Sequence, residues 1–273
     1  MRPPVTSAPR LARRAGATAT AARLVPEEVP VAFSYGGTTH AVMMATPADL
    51  EDFALGFSLT EGIVAGAGEI AGVTVEEAGE GLDVQIALKE EPGARFTARR
   101  RHLAGPVGCG LCGIESIDEA LRQVRDVGKS TLALSADDVA GAVALLAQRQ
   151  ALHRETGAVH AAGFYVPGRG IVAAREDVGR HNALDKLAGA LARAGIDGST
   201  GAVAVTSRVS VEMVQKTAAI GAPAIIAVSA PTALAIRMAG EAGMMLAALV
   251  RGEEFDVFTH PWRLSDKEAR DVA

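Results

Sequence analysis

From residue 202 to residue 250, short apolar runs and amphipathic segments alternate without a break. Residues 202–206, 224–228 and 245–250 are strand-like. Residues 211–220, stopped by Gly221 and Pro223, and 231–242, with proline near the start and Gly243 past the end, carry helix signals. A β-α-β-α-β order implies parallel strands, right-handed crossovers and helices covering the sheet. On such sheets ligands bind beyond the carboxyl ends of the strands. Those ends read Ser207, Arg208 and Ser210 after the first strand, and Ser229, Pro231 and Thr232 after the second. Both are polar junctions at helix starts, suited to phosphate or another anion. Neither contains a Walker loop or a Gly-x-Gly-x-x-Gly fingerprint.

Upstream, residues 158–166 and 170–174 are apolar runs joined by Pro167-Gly168-Arg169. Dense polarity then fills Arg175-Glu176-Asp177-Val178-Gly179-Arg180-His181-Asn182, between a strand and a helix at 183–194. As a cluster at a strand-to-helix junction it reads as functional. Nearer the start, residues 29–33 and 39–44 flank Gly36-Gly37 and predict a hairpin. Thr46-Pro47 opens a helix with Leu50, Phe53, Ala54 and Phe57 on its apolar face. Strands are expected at 72–76, 82–88 and 96–101. A Ser135-capped helix with Val139, Val143, Leu146 and Ala147 as its stripe should end near Leu152.

Residues 105–113 read Gly-Pro-Val-Gly-Cys-Gly-Leu-Cys-Gly and hold Cys109 and Cys112, the only cysteines in 273 residues. A stretch this rich in glycine buries little side chain and loses much entropy on ordering, so it reads as a surface loop presenting thiols. Ile114, Ile117, Leu121 and Val124 follow at helical spacing, behind Glu115, Asp118 and Glu119. The thiols would therefore precede a helix N-terminus, whose partial positive charge favours thiolate. Spacing alone leaves four readings open. One is half of a zinc site lacking its other ligands. Another is a redox dithiol, which normally follows a strand directly, whereas Arg99-Arg100-Arg101-His102 stand before this pair. The third is a sulfur-carrying or otherwise nucleophilic cysteine, and the fourth is two cysteines packed as small hydrophobes.

Composition narrows the classes. A net charge of −5 argues against a general nucleic-acid coat, and two cysteines do not make a secreted disulfide scaffold. No apolar run of roughly twenty residues is present, so no membrane span is expected. Residues 1–24 carry Arg2, Arg10, Arg13, Arg14 and Arg23 and no acid. That composition overlaps with a transit peptide and is read as a disordered basic tail. The expected division is this tail, a smaller α+β domain over 25–130 ending in the thiol loop and its helix, and an α/β domain over 131–273. The close of the chain, Phe255-Asp256-Val257-Phe258-Thr259-His260-Pro261-Trp262-Arg263, reads either as a stacking surface with polar handles or as an edge strand pinned by aromatics.

The loop Gly108-Cys109-Gly110-Leu111-Cys112-Gly113 resembles that of the formate dehydrogenase accessory sulfurtransferases, the FdhD family. So do Ala41-Val42-Met43-Met44-Ala45-Thr46-Pro47 with Leu50-Glu51-Asp52-Phe53, Leu59-Thr60-Glu61-Gly62, residues 157–162 and 175–186, Ser210 with 212–216, Ser229-Ala230-Pro231-Thr232, and residues 255–263. The resemblance spans the chain from about Val29. It implies an α/β fold in which a C-terminal, cytidine-deaminase-like three-layer core with a mixed or parallel sheet joins a smaller α+β domain. It implies that a cysteine desulfurase hands sulfur to Cys109 as a persulfide, with Cys112 assisting. The sulfur then passes to the molybdenum cofactor, in its bis-guanine dinucleotide form, for the catalytic subunit of formate dehydrogenase. The family's cofactor segment falls on Phe255, Asp256, Val257, Phe258, Thr259 and His260. Ser207 and Ser229 are added as phosphate contacts from position alone.

The resemblance also implies cytoplasmic location, no intrinsic metal, and neither nucleic-acid nor membrane partners. A homodimer is expected because the cofactor has two pseudo-equivalent guanine ends. Deamination needs His-x-Glu and then Pro-Cys-x-x-Cys. Here Ala161-Ala162 follow His160 and both cysteines precede it, so no zinc site of that kind is visible. A cofactor-binding chaperone without sulfur transfer is the alternative function.

Overall fold

The computed structural model describes residues 2–103 and 124–265. The thiol loop with Cys109 and Cys112, and all of the helix expected at 114–124 except Val124, lie outside the described residues. The elements run β1 (Val5–Arg14), β2 (Ala17–Pro26), β3 (Val29–Tyr35), β4 (Thr38–Ala45), α1 (Leu50–Thr60), β5 (Ile70–Ala78), β6 (Gly81–Leu88) and α2 (Glu90–Leu103). After the gap come α3 (Ala136–Arg149), α4 (Ala151–Thr156), β7 (His160–Val166), β8 (Gly170–Asp177), α5 (Arg180–Ala194), β9 (Ala202–Val205), α6 (Val211–Ile220), β10 (Ala224–Ala227), α7 (Ala233–Glu241), β11 (Met245–Arg251) and β12 (Glu254–Thr259).

The protein is a mixed α/β fold. Its central sheet has the order β12-β11-β10-β9-β7-β8. Strands β9, β10 and β11 are parallel, as their alternation with helices requires, and β7, β8 and β12 add antiparallel pairings. Both faces are covered, and the two-residue period of the strands divides them. Val203, Val205, Ile225 and Ala227 face α5, α6 and α7, with Leu184, Leu187, Met213 and Met238. Ala202, Ala204, Ala224 and Ile226 face α3, with Val139 and Leu146. The N-terminal sheet, β4-β3-β6-β5, packs Val31, Phe33, Val84 and Ile86 against α1. There Phe33 stacks on Phe57 at 4.5 Å and meets Phe53 edge-on at 4.8 Å.

Two expectations are corrected. Residues 96–101 are helical, not a strand, as part of α2. Glu90 and Glu91 favour the positive end of that helix, and Pro92 sits in its first turn, where a missing N–H does no harm. The basic segment 1–24 is not disordered. It forms a ten-pair antiparallel ladder from Val5↔Pro26 to Arg14↔Ala17, closed by Ala15 and Gly16, both at positive φ. That is the geometry of a two-residue hairpin loop whose twist matches its strands. Its root is tied down where the Arg23 guanidinium donates to the Thr156 carbonyl at 2.8 Å and Glu27 N donates to Pro4 O. Composition does not register these long-range ties.

Helices α1 and α5 join the two layered units at very close range. A Cβ placed on Gly56 would lie 1.7 Å from Asp185 O, and one on Gly189 would lie 1.9 Å from Asp52 O. Only glycine lets the two backbones approach so closely.

Candidate functional site

The polar run 175–186 separates into two sets. Most of it points inward. Asp177 is fully buried, and its carboxylate accepts from Thr46 N, Gly179 N, Asn182 Nδ2 and Lys186 Nζ at 2.6–3.0 Å. The equally buried Lys186 ammonium also donates to Thr46 O at 2.9 Å. Arg175 donates twice to Asp52, at 2.6 and 2.8 Å, and Glu176 accepts from Leu152 N and His153 N. A second buried knot joins Lys216 to Asp185, Glu61 and Thr60. Burial opposes the charge on Lys216, but Asp185 and Glu61 outweigh it and raise its pKa, so the ammonium persists. A buried carboxylate and ammonium are tolerable only with partners of this kind. These groups join α1 and β4 to α5 and α6, and thereby fix the start of α5.

What remains lies at the sheet edge. The start of β7 is antiparallel to β8 and β9, so His160 pairs with Asp177, and Ala161 N donates to Thr206 Oγ1 at 2.9 Å. Burial, then the neighbouring Arg180, lower the His160 pKa against a smaller opposing pull from Asp177, and so favour its neutral ring. Arg180 and His181 begin α5. His181 Nε2 lies 2.9 Å from Glu212 and 3.3 Å from Ser210 Oγ. The hydrogen bond from His181 holds the Glu212 carboxyl below its usual range. Arg180 Nε is buried with no hydrogen-bond partner among the described residues.

The two junctions read from sequence meet at this edge. Val209 N donates to Ala230 O at 3.3 Å, and Thr232 N donates to Val209 O at 3.0 Å. Ser207 is buried and donates to Arg208 O at 3.0 Å, Ser229 is partly buried, and Thr232 caps α7. Neither Gly179 nor Ser210 makes a side-chain cap for its helix, so the first turns of α5 and α6 carry amides that no N-cap side chain satisfies.

The aromatic segment lies elsewhere. Strand β12 is antiparallel to β11, with Leu246↔Thr259 at one end and Arg251↔Glu254 at the other. Thr259 and His260 therefore stand at the amino end of β11, level with Ile225 and Val203 and about 13–17 Å along the strands from Ser229 and Ser207. Phe255 and Val257 pack on the core, while Asp256 and Phe258 face outward. Thr259 Oγ1 donates to Met244 O at 2.7 Å and accepts from Leu246 N at 3.0 Å. His260 Nε2 lies 2.8 Å from Gly240 O, and its ring meets Trp262 edge-on at 4.3 Å. Trp262 is 58% exposed and Phe258 37%. Phe255 and Val257 pin an edge strand, and Phe258 and Trp262 are exposed beside it.

The chain that follows the thiol loop returns to this same end. Val127 N donates to Ala242 O at 2.9 Å, and the Arg263 guanidinium gathers the carbonyls of Val127, Gly128, Ser130, Leu132 and Gly243. The structure therefore brings Ser207 and Ser229 together, and separates them from Thr259 and His260. Arg180 and His181 at the carboxyl edge belong to the cluster that reads as functional from sequence, whereas His160 and Glu212 were not singled out as site residues. The signal for His160 was tertiary, because only the antiparallel insertion of β7 beside β9 brings it there. Among the described residues, no group of three or more His, Cys, Asp or Glu is placed to hold a metal. No described helix is long and apolar enough to cross a membrane.

Residues 26–265 match the sequence model of the FdhD/NarQ family. The chain is 61% identical over 255 residues to the sulfur carrier protein FdhD of Agrobacterium fabrum, covering 93% of this chain and 94% of that one. It is 55% identical over 254 residues to the sulfur carrier protein FdhD of Brucella abortus, covering 93% and 94%. The solved structure of a candidate formate dehydrogenase accessory protein from Desulfotalea psychrophila superposes with a TM-score of 0.76 at 25% identity, covering 96% of this chain and all of that one.

Proposed function

Because the chain belongs to the FdhD/NarQ family, we propose that it is a sulfur carrier for formate dehydrogenase maturation, with Cys109 as the carrying thiol. The single observation behind this is the match over residues 26–265, which contains the only two cysteines, to relatives named sulfur carrier protein FdhD. A cysteine desulfurase is the donor. The Cys109 thiolate attacks the terminal sulfur of the donor's persulfide. A new sulfur–sulfur bond forms on Cys109, the donor's sulfur–sulfur bond breaks, and the donor thiolate leaves, with no net oxidation. Cys112 is the assisting thiol.

The molybdenum cofactor is the acceptor and is bound as substrate. Phe258 and Trp262 offer ring faces to a guanine, and a purine stacked on an aromatic side chain gains about 1–3 kcal/mol. The first-turn amides of α5 and α6, with Ser207, Ser229 and Arg180, suit its phosphates. In favour of delivery at the aromatic end, the chain leaving the thiol loop is anchored there by Arg263. The two guanine ends of this acceptor call for a homodimer.

Intact mass after incubation with a cysteine desulfurase and cysteine tests the reading. Wild type and Cys112→Ala should each gain about one sulfur mass that reductant removes, and Cys109→Ala should gain none. No gain in wild type, with the molybdenum cofactor still bound, would leave a cofactor-binding chaperone in place of a carrier.

A further inference from the structure

The hairpin β1–β2 precedes the family match, which begins at its last residue, Pro26. It joins no other sheet. A two-stranded ribbon is marginally stable alone and needs a surface against it. One of its faces has that surface: Ala8, Arg10, Ala12 and Ala21 are partly covered, and Arg23 is tied to α4. On the other face, Pro9, Leu11, Ala22 and Leu24 are exposed, Leu11 by 74%. Beyond them on this face lies the exposed Arg13, and Arg14 ends the strand beside the turn, exposed as well; neither makes an ion pair among the described residues.

Charge bears on what could cover this face. Residues 1–24 hold five of the 27 Lys and Arg and none of the 32 Asp and Glu, so the rest of the chain carries 22 against 32, a net −10. A basic, apolar-faced ribbon and an acidic body complement each other, and the root of the ribbon already pairs this way, Arg2 with Glu80. The tip cannot do the same with its own body, because its inner face is the one that packs there. We propose that β1–β2 is a docking arm that lies on the body of a second copy of this chain, in a two-fold exchange.

The dimensions suffice. A ladder of ten pairs makes a ribbon of about 34 by 10 Å, or roughly 330 Å² per face. Two arms and the two surfaces they cover then bury about 1,300 Å², within the range of specific interfaces. An exchange about a two-fold axis also closes on itself and does not propagate into fibres.

This inference rests on the homodimer reading, and sedimentation of the full chain tests both. The wild type should be a dimer at micromolar concentration, with a dissociation constant that rises at least tenfold on going from low to high salt. Arg13→Glu with Arg14→Glu, and separately Leu11→Ser, should each raise it at least tenfold and leave the far-ultraviolet spectrum unchanged. Amide exchange across residues 5–26 should slow in the dimer and speed up on dilution. A wild-type monomer overturns both the arm and the homodimer. A dimer indifferent to these variants, or arm amides indifferent to dilution, overturns the arm alone. Association only with an unrelated acidic protein or with nucleic acid also refutes it.

Discussion

Replacing Gly189 by alanine should destabilise the protein, although alanine is the better helix former by about 1 kcal/mol. The new Cβ would stand 1.9 Å from Asp52 O and 2.7 Å from Asp52 C. An ordinary contact there is about 3.4 Å, so α1 and α5 must part by more than an ångström, and overpacking of this kind costs about 1–3 kcal/mol or more. Parting also stretches the bonds Asp52 accepts from Arg175 (2.6 Å) and Arg193 (2.8 Å) and the one Asp185 accepts from Thr60 (2.6 Å). Buried bonds to charged groups are worth about 1.5–3 kcal/mol each, and partial loss adds to the strain. After the gain in helix propensity, a net loss of about 2–4 kcal/mol remains, or a fall in Tm of about 4–7 °C for a chain of this length. Gly141 is the control. It lies inside α3 with nothing within 4 Å of an added Cβ, so Gly141→Ala should raise stability by up to about 1 kcal/mol. Urea unfolding and calorimetry of both variants measure the contrast. Equal effects, or a Gly189→Ala protein as stable as wild type, would refute the close-approach reasoning.

Lys186→Met should cost about 3–5 kcal/mol in urea unfolding, because it strands the fully buried Asp177 carboxylate without its cation. Asp138 gives a pH test. Burial pushes its carboxyl up, but hydrogen bonds from Tyr165 and from the amide and hydroxyl of Ser135 outweigh this and hold it below the usual carboxylate range. A depressed folded pKa contributes stability that is present above the unfolded pKa and lost as pH falls through the folded one. Asp138→Asn should therefore lower Tm at neutral pH, and the gap should close as the pH drops below the Asp138 pKa. Trp262 is the only tryptophan, so its fluorescence reports stacking directly. A guanosine diphosphate titration should quench it, and Phe258→Ala should weaken binding about tenfold, within the worth of one stacked base. An unquenched tryptophan would remove the aromatic end from the cofactor site.

The sequence by itself determined the period of the core and the presence of two thiols in one glycine-rich stretch. Three parallel strands were legible because alternating apolar runs and capped helices are local patterns, and helix α6 was bounded at both of its ends by local residues, Ser210 and Gly221. Cys109 and Cys112 needed no fold to be noticed. The roles inside 175–186 were decided only by tertiary structure. Asp177, Asp185 and Lys186 look like binding groups in a string of polar residues. They become internal ties once β4, α1 and α6 bring Thr46, Thr60 and Lys216 against them. The same long-range packing gave the basic start of the chain a ladder and a root, and it placed His260 at the opposite end of the strands from Ser207. Local sequence encodes propensity and period. Asp177 meets Lys186 and Asp185 meets Lys216 within one unit of the chain, but the Thr46 and Thr60 groups that complete these buried pairs lie more than a hundred positions away, and only tertiary packing brings them in.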